Sequence, residues 1–461
     1  MIKFYAALWV GKAVKLMTRI MGRIMHKGGT NLPGDIALKI CPDFLKYVAR
    51  PAQVICVTGT NGKTTTTNMM ADVLEKSGRR VLSNRMGGNI NSGIATCLMT
   101  GVSLFNKSRY PIAVLETDER SALRIYPYIQ PDYVVGTNLV RDSCRRNAHP
   151  HYIFNIIDSA LPEKTRMIRN ADDIISCNLA KNNDRVYYAI DRLPDDRTKP
   201  FNIINDMAIC PECHATLEYD FVRYNHIGRV RCPKCGLTSP KADYLATAVN
   251  AGEKTLTVSE KGVTQVYPLI SESVYHVYDQ LAVIAMLREL GLTPQELADA
   301  MGTINIVQSR YREDVFGGIK VISHMAKGQN APACSTVFGS VANAPGDKEI
   351  VLAIEDLHDN IDSSENISFI YDVDFEFLAH ESIKRIVVVG KRSLDMKLRM
   401  LMAGIPAKHI VICQEEEKIA ECLTFTPGRD VYLLYELYQI PLYKKLWEHI
   451  RLHLTEGSEK K

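Results

Sequence analysis

No apolar run in this chain of 461 residues reaches the ~18 residues that a membrane-spanning helix requires. Charge of one sign is not in excess either. The 56 Lys and Arg against 52 Asp and Glu leave a net +4, too little on this length to argue by itself for a nucleic-acid or polyanion partner. Paired cysteine spacing is scarce. Of twelve cysteines, Cys56, Cys97, Cys334 and Cys413 stand singly in apolar runs, where a reduced, buried thiol is the ordinary explanation. That usage speaks against a disulfide framework and for a cytoplasmic protein. A cleavable leader is not expected. The apolar run 4–10 gives way to Lys12 and Lys15, no small-residue cleavage site follows, and basic residues recur at Arg19, Arg23 and Lys27. Residues 1–49 therefore read as a helical segment, with 36–48 as its second, short helix. Its first helix is amphipathic and packs on the body of the protein, with peripheral contact at the inner face of a membrane as the alternative.

What is present is organised around residues 54–70, V-I-C-V-T-G-T-N-G-K-T-T-T-T-N-M-M. An apolar strand feeds a glycine-bearing turn, and a helix follows after Lys63. That order describes a phosphate-binding loop. Gly59 and Gly62 let the backbone curl so that successive N–H groups, from Gly59, Thr60, Asn61, Gly62 and Lys63 onward, face an anion. Lys63 places a point charge on the outer phosphates, and Thr64 or Thr65 can ligate magnesium. The loop is compact, G-T-N-G-K-T-T, rather than the longer G-x-x-x-x-G-K-[ST].

Further strands end in polar tips. The strand 111–115 delivers E-T-D-E-R-S, placing Glu116, and after it Asp118, to hold magnesium directly or through water. The strand 133–137 delivers T-N-L-V-R-D, bringing Asn138 and Asp142 to the edge that carries Lys63. The N-A-D-D run at 170–173 closes another such unit. Strand, polar tip and helix in repetition predict an α/β fold, a parallel sheet with its site at the strand carboxyl ends.

A second strong pattern lies at 207–240. C-P-E-C (Cys210, Cys213) and C-P-K-C-G (Cys232, Cys235) are two C-x-x-C knuckles at the spacing of a zinc ribbon, with residues 217–224 and 228–231 supplying a hairpin. Four thiolates leave no open position, so the zinc is expected to be structural. Arg223, His226, Arg229, Arg231 and Lys234 make the ribbon basic, and contact with nucleic acid is an alternative to stiffening the domain. Beyond it, residues 275–290 form a helix, Thr293 caps the next, and 306–314 read as a hinge. Strands at 319–323, 350–354, 385–389, 409–413 and 430–435 then mark a second α/β domain. The expected domains are 1–49, 50–312 with the inserted ribbon, and 313–461.

G-T-N-G-K-T-T resembles the ATP-binding signature of the Mur ligases, which form amide bonds in cell-wall precursors. Together with E-T-D-E, T-N-L-V-R-D, N-A-D-D, the two knuckles and F-I-Y-D-V-D-F-E (369–376), it is similar to the MurT branch of that family, over nearly the whole chain. The resemblance implies an ATP-dependent carbon–nitrogen ligase with ATP, Mg2+ and Zn2+. Such a subunit phosphorylates the D-glutamate α-carboxylate of a lipid-linked or soluble muropeptide, and ammonia then attacks the acyl phosphate to give D-isoglutamine. The ammonia implied comes from a GatD-like glutaminase in a heterodimer, and no nucleic-acid partner is expected.

Several runs depart from the family's pattern. Where the family carries a D-G-R-D-x-S-W-like run, whose last aspartate completes the glutaminase's Cys-His pair, this chain has S-S-E-N-I-S-F. The position falls on Asn366, with Glu365 beside it and Asp356, Asp359 and Asp362 nearby as substitutes. Two asparagines expected near the adenine appear as His276 and Asp279. A-K-G-Q-N-A-P (326–332) stands in place of K-N-P-A-G. The alternatives are a stand-alone Mur-type amide ligase and a nucleic-acid-binding ATPase that uses its ribbon as the contact.

Overall fold

A computed structural model of the protein describes residues 1–25, 31–85, 88–142, 149–304, 311–326, 330–354, 367–436 and 439–456, with side chains omitted at 21–25 and 311. The chain divides into two compact units. The first comprises Met1–Val140, Pro150–Pro200 and Asp206–Ile306, the second Arg141–His149, Phe201–Asn205 and Val307–Lys461.

In the first unit the strands are β1 (Gln53–Thr58), β2 (Val81–Ser83), β3 (Ile112–Glu116), β4 (Tyr133–Gly136), β5 (Arg166–Asn170), β6 (Arg185–Ile190), β7 (Glu218–Tyr224), β8 (Ile227–Arg231), β9 (Tyr244–Asn250), β10 (Thr255–Glu260) and β11 (Val263–Pro268). Nine of them form one sheet in the order β11-β10-β9-β6-β5-β4-β1-β3-β2, while β7 and β8 pair as a separate hairpin. From β2 to β9 the pairings are parallel, and β10 and β11 add an antiparallel edge. The helices are α1 (Ile2–Met25), α2 (Leu32–Ile40), α3 (Phe44–Tyr47), α4 (Lys63–Lys76), α5 (Asn91–Gly101), α6 (Ala122–Ile129), α7 (Pro150–Ala160), α8 (Val274–Glu289) and α9 (Pro294–Met301).

The sheet has a core on each face, which is why β1 is apolar without alternation. Val54 and Cys56 face a core shared with Phe4 and Leu8 of α1 and Ala37 of α2. Ile55 and Val57 face the opposite core, with Met70 and Leu74 of α4 and Leu281 of α8. Apolar residues around α8 from Val277 to Leu287 are buried on every side, the condition of a helix inside a large core.

Three expectations need adjustment. Residues 36–48 form two helices, because Pro42 follows Cys41 and the residue before proline is driven to extended backbone; Cys41 has φ −134° and ψ 94°. Helix α4 starts at Lys63, so the lysine opens the helix instead of preceding it. Residues 311–314, read as part of a hinge, lie in a strand, and 305–310 are outside the described residues.

In the second unit β12 (Tyr311–Phe316), β13 (Ile319–Met325), β14 (Asp347–Ala353), β15 (Ile383–Val389), β16 (Ile410–Cys413) and β17 (Arg429–Tyr435) form a sheet in the order β12-β13-β17-β14-β15-β16. All pairings are parallel except the β12–β13 hairpin. Helices α10 (Ala331–Asn343), α11 (Phe369–Asp372), α12 (Ser393–Met402) and α13 (Ile440–Glu456) complete two cores. The short segment Phe201–Asn205 is tied in through Asp374, which accepts from Asn202 Nδ2 at 2.9 Å and Ile203 N at 2.7 Å.

Candidate active site and cysteine ribbon

The parallel register sets the site. Val57 pairs with Glu116 on one side of β1, and Thr58 with Gly136 on the other, so three strand ends deliver their loops to one edge. Gly59 and Gly62 have φ of 129° and 84°, backbone that glycine adopts without a Cβ clash. A Cβ on Gly59 would come within 2.2 Å of Thr137 Oγ1. The tip after β4 clasps the loop: Thr60 N donates to Asn138 O at 2.7 Å, Asn61 N to Asn138 Oδ1 at 3.2 Å, and Thr137 Oγ1 to Asn61 O at 2.6 Å. Asn138 thus shapes the loop from beneath. Asp142 belongs instead to the second unit, where Asn330 Nδ2 donates to it at 3.0 Å. The first N–H groups of α4 have no intrahelical acceptor, and the positive end of its dipole opens at the loop.

Lys63 Nζ donates to Glu119 Oε1 at 2.6 Å and to the carbonyls of Gly59 and Thr60. Burial pushes the Glu119 carboxyl up from its usual range, while the Lys63 charge opposes the shift. Sequence reasoning passed over Glu119 although it lies within E-T-D-E-R-S; β3 ends at Glu116, and a 3₁₀ turn at Glu119–Ser121 swings the later carboxylate back. Glu116 is half-buried, with Oε1 accepting from Asn89 Nδ2 at 2.9 Å. Asp118 caps the 3₁₀ turn, its Oδ1 accepting from Arg120 N and Ser121 N at 3.1 and 3.2 Å. Thr64 is exposed and Thr65 half-buried at the start of α4.

On the other side of the loop, Asp279 of α8 lies against Gly62. A Cβ there would meet Asp279 Oδ1 at 2.2 Å, and Thr66 Oγ1 donates to the same oxygen at 3.2 Å. Burial pushes this carboxyl up to about 8. His276, one turn earlier, has Nδ1 3.0 Å from Ser271 Oγ.

The cysteine ribbon is built from two equivalent knuckles. Cys210 N donates to Ala215 O and His214 N to Cys210 O; Cys232 N donates to Leu237 O and Gly236 N to Cys232 O. The fifth residue of each is left-handed, with φ 59° at His214 and 78° at Gly236. The four Sγ atoms lie within 4.8 Å of one another, the one grouping of three or more potential ligand side chains among the described residues. Cys210–Cys235 and Cys213–Cys232 approach to 3.6 and 3.4 Å, close to the roughly 3.8 Å edge of a tetrahedron with ~2.3 Å metal–sulfur bonds.

The ribbon's hairpin is fastened to the sheet through N-A-D-D. Arg223 donates to Asp172 and Asp196, both at 2.9 Å, and His226 Nε2 lies 3.1 Å from Asp173 Oδ1 with both side chains fully buried. Arg229 pairs with Asp191, and Arg231 with Glu218. Four of the five residues that make the ribbon look basic are thus paired with carboxylates, Arg223 and His226 in full burial and Arg231 at the surface. Asp173 also accepts from Leu139 N at 2.6 Å, next to the residue that shapes the phosphate loop. Burial alone would raise Asp173, yet the hydrogen bonds from His226 and Leu139 outweigh it and hold the carboxyl below its usual range.

Asn366, Glu365 and Asp356, with Asp359 and Asp362, lie outside the described residues, as do 327–329 of the A-K-G-Q-N-A-P run.

Residues 57–191 match the family model of the Mur ligase middle domain, and residues 328–438 that of the MurT ligase C-terminal domain. The subunit MurT of lipid II isoglutaminyl synthase (glutamine-hydrolyzing) from Streptococcus pneumoniae is 29% identical over 438 residues, 94% of each chain. Its counterpart from Staphylococcus aureus strain COL is 28% identical over 407 residues, 87% of this chain and 90% of that one. Among solved structures, a pseudomurein peptide ligase type C from Methanothermus fervidus superposes with a TM-score of 0.65 at 19% identity, covering 89% of this chain and 81% of that one.

Proposed function

Since this chain belongs to the MurT branch of the Mur ligase family, we infer that it is the ATP-dependent ligase subunit of a lipid II isoglutaminyl synthase, amidating the D-glutamate α-carboxylate of a peptidoglycan precursor. The observation that carries the inference is the loop 59–65, with its two left-handed glycines, its lysine at the mouth of α4, and two strand tips closing on it. Backbone N–H groups and Lys63 would hold the β- and γ-phosphates. A carboxylate oxygen of the acceptor attacks the γ-phosphorus and ADP departs. Ammonia then attacks the acyl carbon, loses a proton, and expels phosphate. The protein's contribution is positioning and charge stabilisation.

Thr64 and Glu116 fit a magnesium ion at the strand edge, since Glu116 Oε2 is outside the Asn89 contact. Asp118 is the second candidate, through the oxygen that its cap leaves over. When bound, the ion would neutralise the phosphates. Glu119 sets the direction of Lys63. The four thiols suit a structural zinc ion, which would brace the hairpin and take no part in the chemistry. A GatD-like glutaminase supplies the ammonia in this reading. Asn366, with Glu365 and Asp356, is proposed to face it, where an asparagine can orient a histidine.

The test supplies free ammonium in place of the partner. Purified chain, ATP, magnesium and a D-glutamate-containing precursor should give the amide by mass spectrometry. Lys63→Ala should lower the rate by about two to three orders of magnitude. Nucleotide binding without any amide would assign the chain a different acceptor or amine.

A further inference from the structure

Helix α1 is apolar on two opposite faces. The inner one is accounted for: Phe4, Ala7 and Leu8 are buried in the core of the first unit, and Gly11 lies against Met99, where a Cβ would come within 2.4 Å of its methyl carbon. Ile2, Trp9, Val10, Leu16, Met17 and Ile20 recur at helical spacing on the outer side and are between 42 and 88% exposed. Single exposed apolar residues need no explanation, but a continuous stripe does.

A second element extends the stripe. The turn after α5 closes with Ser103 N donating to Lys107 O at 2.8 Å and with Asn106 left-handed at φ 57°. Asn106 is itself anchored, donating to Tyr47 O and accepting from Ala49 N, both at 2.8 Å. This built turn holds out Phe105, 77% exposed, and Leu104, 55% exposed. Trp9 Nε1 donates to Leu104 O at 3.0 Å, joining the turn to the helix.

The charged residues of α1 and of the 103–109 turn are all basic, while Asp35 and Asp43 are exposed on the neighbouring α2 and the turn after it. Residues 1–34 contain six Lys and Arg and no Asp or Glu. Lys3 and Arg19 are exposed on α1, and Lys107 and Arg109 are exposed beside Phe105. Lys12 spans from the stripe's flank to the carbonyls of Met99 and Val102. No helix among the described residues is long and apolar enough to cross a membrane. An apolar stripe flanked by cations on a helix about 36 Å long matches a surface that lies in the interface of an anionic bilayer.

We propose that α1 and the 103–107 turn form a membrane-docking face that seats the first unit on an anionic lipid surface. Trp9 and Phe105 enter the headgroup boundary, and the basic residues meet the lipid phosphates. The inference is drawn from this surface alone and stands whether or not the acceptor is lipid-linked.

Vesicle flotation of the full chain tests it, with phosphatidylglycerol–phosphatidylcholine vesicles against phosphatidylcholine alone. The chain should float with the anionic vesicles and be released by high salt. Each substitution Leu16→Ser or Phe105→Ser should weaken partitioning about tenfold, and Arg19→Gln about fivefold. The chain has two tryptophans, and Trp447 is buried, so vesicles should blue-shift the unsubstituted chain's emission, and Trp9→Phe should abolish that shift. Flotation that ignores all three substitutions, or emission unmoved by anionic vesicles, overturns the proposal. It is equally overturned if the chain dimerises in solution and Leu16→Ser or Phe105→Ser makes it monomeric, because the face then belongs to a second copy.

Discussion

The cysteine ribbon and the phosphate loop both start from short motifs, yet they are completed in opposite ways. In the ribbon, each C-x-x-C turn carries its own hydrogen bonds, and a five-residue hairpin pairing brings the two together. The phosphate loop is half a site until β3 and β4 arrive. Asn138 comes from one neighbouring strand and Glu119 from a turn after the other. A cluster made of local turns can be read from spacing, whereas a cluster made at a sheet edge depends on register and on what the chain does after each strand. The two meet at Asp173, which touches the ribbon through His226 and the loop's support through Leu139.

The largest effect expected on the ribbon side is from Cys232→Ser, which should abolish binding of the proposed zinc ion and cost on the order of 5 kcal/mol. Metal analysis with thermal unfolding measures both; a chain that keeps its melting temperature would make the thiols ornamental to folding. Next is Asp173→Ala, which strands His226 and the Leu139 N–H and should cost about 3–5 kcal/mol. If the ribbon supports the loop, the KM for ATP of the surviving folded enzyme should rise more than its kcat falls. A stability loss with unchanged ATP kinetics would separate the two regions.

Glu119→Gln keeps the shape but removes the charge that aims Lys63. A kcat decrease of about ten- to hundredfold is expected, or roughly 1.4–2.8 kcal/mol, with little change in melting temperature. The remaining effect is pH-linked and concerns Asp279. Its carboxyl is pushed up to about 8 by burial, so between the unfolded value near 4 and about 8 the folded state holds a proton that the unfolded state has lost. Stability should therefore fall as pH rises across that window, by up to about 1.4 kcal/mol per pH unit. Asp279→Asn should flatten the slope, and melting curves from pH 5 to 8 check the sign.

Much of this was legible beforehand because it rests on local rules. The apolar runs of the parallel strands, the two left-handed glycines, the N-cap at Thr293 and the paired knuckles are each properties of a few consecutive residues. The division of residues 36–48 followed from Pro42 and was missed only because the apolar pattern continues through it. Glu119 was not legible: Glu116, Asp118 and Glu119 are alike as carboxylates, and only the 3₁₀ turn decides that the third meets Lys63 while the second caps a backbone. The pairing of the ribbon's basic residues was not legible for a related reason. Arg223 and His226 are basic in sequence, but Asp172, Asp173 and Asp196, which engage them, lie up to fifty-three residues away.

By itself the sequence determined the phosphate loop, the four-thiol ribbon and the two parallel-sheet regions, because strand character, glycine conformation and chelating turns are set within short windows. The tertiary structure alone decided which carboxylate aims the lysine, that Asp279 is buried against Gly62, that the ribbon is tied to the loop through Asp173, and which face of α1 is left uncovered. Those are outcomes of register and packing, where residues distant in the chain share one dielectric and one set of hydrogen bonds.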